Sequence, residues 1–192
     1  CVTPALNNNK VMSEIFNVDQ DIIFSSSDAI QESPAKGGGL YTLNTRSGQY
    51  KKVVSGVTRG FEIADKKIFV ADASLGIRVL NAEYKDIDLI KLDDDAYPHG
   101  LAIDIVNKKL YVVLTRFDRI DIFDIDSYQF YGSIRMSKFS RDNNSKKYFH
   151  HINDIHYNDS SLYVSMFSIS GNNNFLVDDG GVLEYSVENK AF

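Results

Sequence analysis

Cysteine is almost missing from this sequence. Cys1 is the only one, so no disulfide forms within the chain and no cysteine cluster can hold a metal. A lone thiol fits a reducing compartment, and a cytoplasmic location is expected. A chain that opens on Cys also reads as a mature lipoprotein, so the alternative is an exported protein anchored through Cys1. No apolar stretch approaches the ~20 residues of a membrane span, which argues against a transmembrane segment. No basic stripe interrupts a net charge of −5, so nucleic acid is not an expected partner. The longest acidic run, Asp93-Asp94-Asp95, reads as a solvated turn. His-Glu-x-x-His, Gly-x-Ser-x-Gly and phosphate-loop patterns are absent. The triplet Gly37-Gly38-Gly39 enters a strand and precedes no helix, so it is not a nucleotide fingerprint.

A helical period is also hard to find, whereas strand signals recur along the whole chain. Val, Ile, Tyr and Phe alternate in short runs cut by Asn, Asp and Gly turns. At 43% hydrophobic and 24% charged, the 192 residues suffice for one globular domain with a sizeable core. Three segments line up with one another. One starts at Arg59 ("RGFEIADKKIFVADASLGIRVL"), one at His99 ("HGLAIDIVNKKLYVVLTRFDRIDIF"), and one at Asn153 ("NDIHYNDSSLYVSMFSIS", resuming at "GGVLEYSVENKAF"). A weaker copy starts at Ser13 ("SEIFNVDQDIIFSSS", resuming at "GGLYTLNTRSGQYKKVVS"). Each copy runs in one order: a first strand, a polar turn (18–21, 65–67, 107–109, 158–161), a second strand (IIF, IFV, LYV, LYV), a variable loop, a third strand, a tight turn and a fourth strand.

Four short antiparallel strands in about 40–50 residues is the period of a β-propeller blade. A β-sandwich also spaces its strands evenly but does not require internal similarity. The expected fold is therefore all-β, a single propeller domain over residues 1–192 with four recognisable four-stranded blades, at about 11–55, 59–92, 98–137 and 151–192. The last copy stops where its fourth strand should begin. Either the chain is part of a larger ring, expected to have six blades, or N-terminal residues supply the missing strand and close a small one.

In a propeller the first strands line the central channel. The second-to-third loops and the blade-to-blade connections share one face. The loops assigned to that face are long (27–38, 139–149, 167–181), whereas those on the other are tight. Long loops gathered on one face mark it as the binding face. The residues opening the first strands are Glu14, Arg59, His99 and Asn153, with Asp154 beside the last. Polar groups there must be satisfied by hydrogen bonds, an ion or water, so His99 is expected to face a wet channel. Pro98 suits a strand's first position, where its missing N–H does no harm. Phe69, Tyr111 and Tyr163 fall within second strands and are expected to pack between blades.

The run "PHGLAI…KKLYVVLTRFDRIDIFDID", together with "INDIHYNDSSLYVSMFS", resembles the paraoxonase/arylesterase family and, more loosely, the gluconolactonase–regucalcin family. Both are six-bladed propellers with a metal in the channel. The resemblance implies a proton-transfer role for His99, a calcium ligand at Asn153, and a place for Asp154 at a second calcium. Glu14 opens the strand where the family has an acidic ligand. A second histidine is missing, since its position falls near Phe117. "HHINDIHYNDSSLYVSMFSISGNNN…DDGGVLEY" is similar to an uncharacterised family of bacterial propellers, which implies a fold and no activity.

Two functions follow. The leading one is a binding module, its channel mouth holding a small polar ligand or glycan, or a protein partner. Arg59 and Arg116 could grip an anionic group there, with His150 and His151 beside them. The alternative is a calcium-dependent lactonase or esterase. Glu14, Asn153 and Asp154 would hold the ion, His99 would be the base, and His150 or His151 would replace the missing histidine. Neighbouring side chains on a strand point to opposite faces, so His150 and His151 cannot easily share one ion. His156 reads as a surface or hydrogen-bonded strand residue.

Overall fold

The computed structural model describes residues 21–27, 38–136, 149–171 and 179–191, and these form two compact units, Cys1–Thr58 and Arg59–Phe192. The first unit holds a three-stranded antiparallel sheet of β1 (Asp21–Ser26), β2 (Gly39–Asn44) and β3 (Tyr50–Ser55). Gly39, at the start of β2, has φ +153°, and a Cβ there would sit 2.1 Å from the Val54 carbonyl oxygen. Gly39 therefore does open a strand, and the close approach of β3 requires a glycine at this point, while Gly37 lies outside the described residues.

Two four-stranded sheets and one three-stranded sheet follow, each antiparallel with neighbours in chain order. The first is β4 (Thr58–Ala64), β5 (Lys67–Asp72), β6 (Gly76–Leu80) and β7 (Asp86–Ile90). The second is β8 (Pro98–Asp104), β9 (Lys109–Leu114), β10 (Arg119–Asp124) and β11 (Phe130–Arg135), with a 3₁₀ turn at Thr115–Phe117. The third is β12 (Ile152–Asn158), β13 (Ser161–Met166) and β14 (Gly181–Ser186). This is the blade order read from the repeat. Among the described residues no α-helix occurs, and no helix is long and apolar enough to cross a membrane.

The period-two pattern of β9 shows why the sheets stack. Leu110, Val112 and Leu114 point to one side and join Phe69, Ala71, Ile77 and Val79 of the preceding sheet in one core. Tyr111 and Val113 point to the other and join Leu162, Val164 and Met166 of the following sheet in a second core. A strand buried on both faces must be apolar throughout, and all five of these β9 residues are fully buried. Phe69 and Tyr111 thus pack between sheets as expected. Tyr163 does not: it is half-buried, lies on the face opposite Leu162 and Val164, and bonds Glu184 of β14 through its hydroxyl at 3.3 Å. Among the described residues no other sheet of Arg59–Phe192 packs on that face of β13.

The tight turns are encoded locally. Asp65–Lys66 and Asp159–Ser160 both adopt paired positive φ values (48° and 64°, 46° and 63°), the geometry of a two-residue hairpin. The third-to-fourth-strand turns share another device. Asn44 Oδ1 accepts from the Ser47 N–H at 2.8 Å, Asn81 Oδ1 from Lys85 at 2.9 Å, and Asp124 Oδ1 from Ser127 at 2.6 Å. A short polar side chain that folds the backbone back on itself is what such a turn selects.

Candidate functional site

β4, β8 and β12 are each seven residues long, and Arg59, His99 and Asn153 hold the same second position in them. The three strands run close together. A Cβ on Gly60 would lie 2.8 Å from the His99 carbonyl oxygen. On Gly100 it would lie 2.3 Å from Asp154 Oδ1 and 2.7 Å from Asp154 Cα. The glycines at the third position let neighbouring inner strands touch, and this gathers the strand openings into one cluster.

Within the cluster Arg59 donates from one terminal nitrogen to His99 Nε2 at 3.2 Å and from the other to the Tyr97 hydroxyl. A guanidinium has no lone pair to offer, so His99 Nε2 must be the acceptor. The same ring is hydrogen-bonded to the Asn153 backbone. Burial first, and the Arg59 charge second, push the His99 pKa from 6.5 down to about 4, against the opposing pull of Asp154. His151 is lowered for the same two reasons, burial foremost, while Asp118 works against the shift. Its ring lies 4.5 Å from that of Phe167. Both rings are therefore neutral near pH 7.

Tyr97 completes the cluster. Arg59 stacks over its ring at 4.3 Å and Arg116, from the 3₁₀ turn, at 5.7 Å. Tyr97 immediately precedes β8 with φ 55°, and His151 immediately precedes β12 with φ 49°. Left-handed backbone at a bulky non-glycine residue costs roughly 1 kcal/mol, and here it recurs at one repeat position. That shared position before the inner strand was the available signal. The Tyr97 carbonyl accepts the Thr115 N–H at 3.3 Å, and the His150 carbonyl accepts the Phe167 N–H at 3.1 Å. Connections and second-to-third loops thus meet on one face, as the propeller layout requires.

Glu62 was also missed. It is the fifth residue of β4, and His156 is the fifth residue of β12. Burial raises the Glu62 pKa, the His156 charge opposes the rise, and Asp154 adds to it. Its signal was a carboxylate in the middle of an inner strand. His156 is exposed, as expected, and its field reaches Glu62.

His150 turns away into the loop. It is buried, with Nδ1 2.9 Å from the Ser168 carbonyl and its backbone N–H on Asp118 Oδ2 at 3.0 Å. Glu14 and most of the three long loops lie outside the described residues. Asn153 and Asp154 do open β12 side by side, and Asp154 Oδ1 accepts the Ile155 N–H at 2.9 Å. Calcium takes about six to eight oxygens. The described residues bring two oxygen-bearing side chains here, near a guanidinium that repels cations, and among them no group of three acids, histidines or cysteines is arranged to hold a metal. These residues alone do not fit calcium. A surface cavity of about 480 Å³ opens between the Ala73–Gly76 loop and the connection carrying Asp93–Asp95, and Tyr97 borders it too.

No protein-family model matches this chain, and no curated protein sequence does. Solved structures do. A chain of the nidogen/laminin complex aligns with TM-score 0.60 at 14% identity, over 89% of this chain and 59% of that one. Sqt1 of Saccharomyces cerevisiae aligns with TM-score 0.52 at 9% identity, over 90% of this chain and 47% of that one. The computationally designed protein Ika8 aligns with TM-score 0.52 at 9% identity, over 88% and 43%. The fold is that of a β-propeller. This chain spans less than two thirds of each of these structures, and at such identities the likeness shows the fold alone.

Proposed function

We propose that this propeller is a binding module whose site is the mouth formed by the openings of β4, β8 and β12, and that it takes a small polar ligand or glycan. One observation carries the reading: Arg59, His99 and Asn153 occupy equivalent positions on three strands and meet in one hydrogen-bonded cluster. Donors, an acidic group and flat rings stand together there, which is the mixture a polar ligand needs. The nidogen structure was solved as a complex with laminin, and a protein partner for this chain belongs to the same proposal.

The paraoxonase-like resemblance supplies a second reading, hydrolysis of a lactone or ester with His99 as base, in which calcium would need ligands beyond the described residues. The adjacency of His99 and Asn153 favours it. It asks Arg59 to release Nε2 before that nitrogen can take a proton. A glycan array and a thermal-shift screen of neutral sugars test the binding reading. The expected result is a hit that Asn153→Ala weakens. A blank array together with a flat screen would remove it. A lactone and aryl-ester panel with added calcium tests hydrolysis, with His99→Ala as the control.

A further inference from the structure

Four arginines of the Arg59–Phe192 unit divide into two kinds. Arg78 reaches Asp86 at 2.7 Å and Asp72 at 3.7 Å. Arg119 reaches Asp93 and Asp121, both at 2.7 Å. Each of these part-buried guanidinium groups is thus neutralised by two carboxylates. Arg59 and Arg116 have none among the described residues. Among the described residues Arg59 has only His99 and Tyr97, and its enclosed Nε–H has no acceptor there. Among the same residues Arg116 has only the face of Tyr97.

Two acids of this region each give one carboxylate oxygen to backbone N–H groups. Asp118 Oδ2 takes the N–H groups of Phe149 and His150, and Asp154 Oδ1 takes that of Ile155. Two cations held on one tyrosine ring repel each other, and the ring offers only weak compensation. A guanidinium is also a planar fork that matches an oxyanion through paired N–H donors. Burial first, and the Arg59 charge with it, lower the pKa values of His99 and His151, while Asp154 and Asp118 pull the other way.

We propose that Arg59 and Arg116, held around Tyr97, form an oxyanion subsite, so that the ligand of this mouth carries a carboxylate or phosphate group. The proposal rests on the binding reading above and narrows its ligand class. Isothermal titration with inorganic phosphate, glucuronate and glucose at constant ionic strength tests it. Phosphate or glucuronate should bind, and Arg116→Gln should weaken that binding about tenfold, the loss of one charge-assisted contact. Arg116 has no hydrogen bond to lose among the described residues, so this variant should keep the native melting temperature. Arg59→Lys gives a second test if Arg59→Gln fails to fold. Lys108→Gln, at an exposed ion pair with Asp65, should change nothing.

Glucuronate without phosphate would mark the group as a carboxylate, and the reverse as a phosphate. Binding of glucose alone would overturn the subsite while leaving the binding module standing. No heat with either anion, or anion binding indifferent to both arginine variants, would overturn it as well.

Discussion

The sheet β8–β11 and the sheet β12–β14 carry the same Leu-Tyr-Val run in their second strands, yet the two runs have different surroundings. In β9 both faces are covered: Leu110 and Val112 face one core, Tyr111 the other. In β13 Leu162 and Val164 are buried, while Tyr163 faces outward among polar groups, with Ser161 Oγ donating to Glu184 Oε1 at 2.8 Å. The run specifies a strand, and the neighbours decide how many of its faces are apolar. Ring–ring contact follows the same division. Tyr111 stacks on Tyr157 of β12 at 5.9 Å, whereas Tyr163 has a carboxylate.

The contrast can be broken most directly by truncation. Leu110→Ala should destabilise the protein by about 2–5 kcal/mol in denaturant unfolding, because a fully buried strand cannot collapse around the cavity. Tyr163→Ala should stay within about 0.5 kcal/mol, as surface changes do. Equal losses at the two positions would show that the outer face of β13 is covered after all. Next in size is the joint between the two sheets. Gly100→Ala places a methyl against the Asp154 backbone and should cost about 1–3 kcal/mol by forcing β8 from β12. The same change at Gly48, whose Cβ would meet nothing within 4 Å, tests backbone strain alone, since its φ is +68°. A Gly100→Ala variant as stable as the parent would mean that the inner strands can part freely.

The remaining effect is set by pH. His99 titrates at about 4 in the folded protein against 6.5 ordinarily. Between those values the unfolded chain binds the extra proton, so stability should fall as the pH drops from 6.5 to about 4 and level off below. His151 adds to the fall in the same direction. Melting curves of His99→Gln should show a shallower decline over that window. An unchanged slope would place His99 in water, free of Arg59.

The blade order, the second strands and the polar turns were legible because alternation and internal similarity are written in consecutive residues. Arg59, His99 and Asn153 were legible for a further reason: each opens a strand where an apolar group would be expected. Tyr97 was not, because its role comes from a left-handed backbone and from two arginines distant in sequence, and its one trace was its place just before an inner strand. Glu62 and His156 are linked only through equivalent positions on β4 and β12. The outward turn of Tyr163 depends on what packs beside its sheet, which the run itself does not record.

The Asn and Asp side chains that close the third-to-fourth-strand turns do more than tidy a corner. By pinning one rim of three of the four sheets from within, they fix strand alignment locally at that end. Segments at the opposite rim can then lengthen or change composition while β4, β8 and β12 keep their places. Recognition can diversify at one end because alignment is secured at the other.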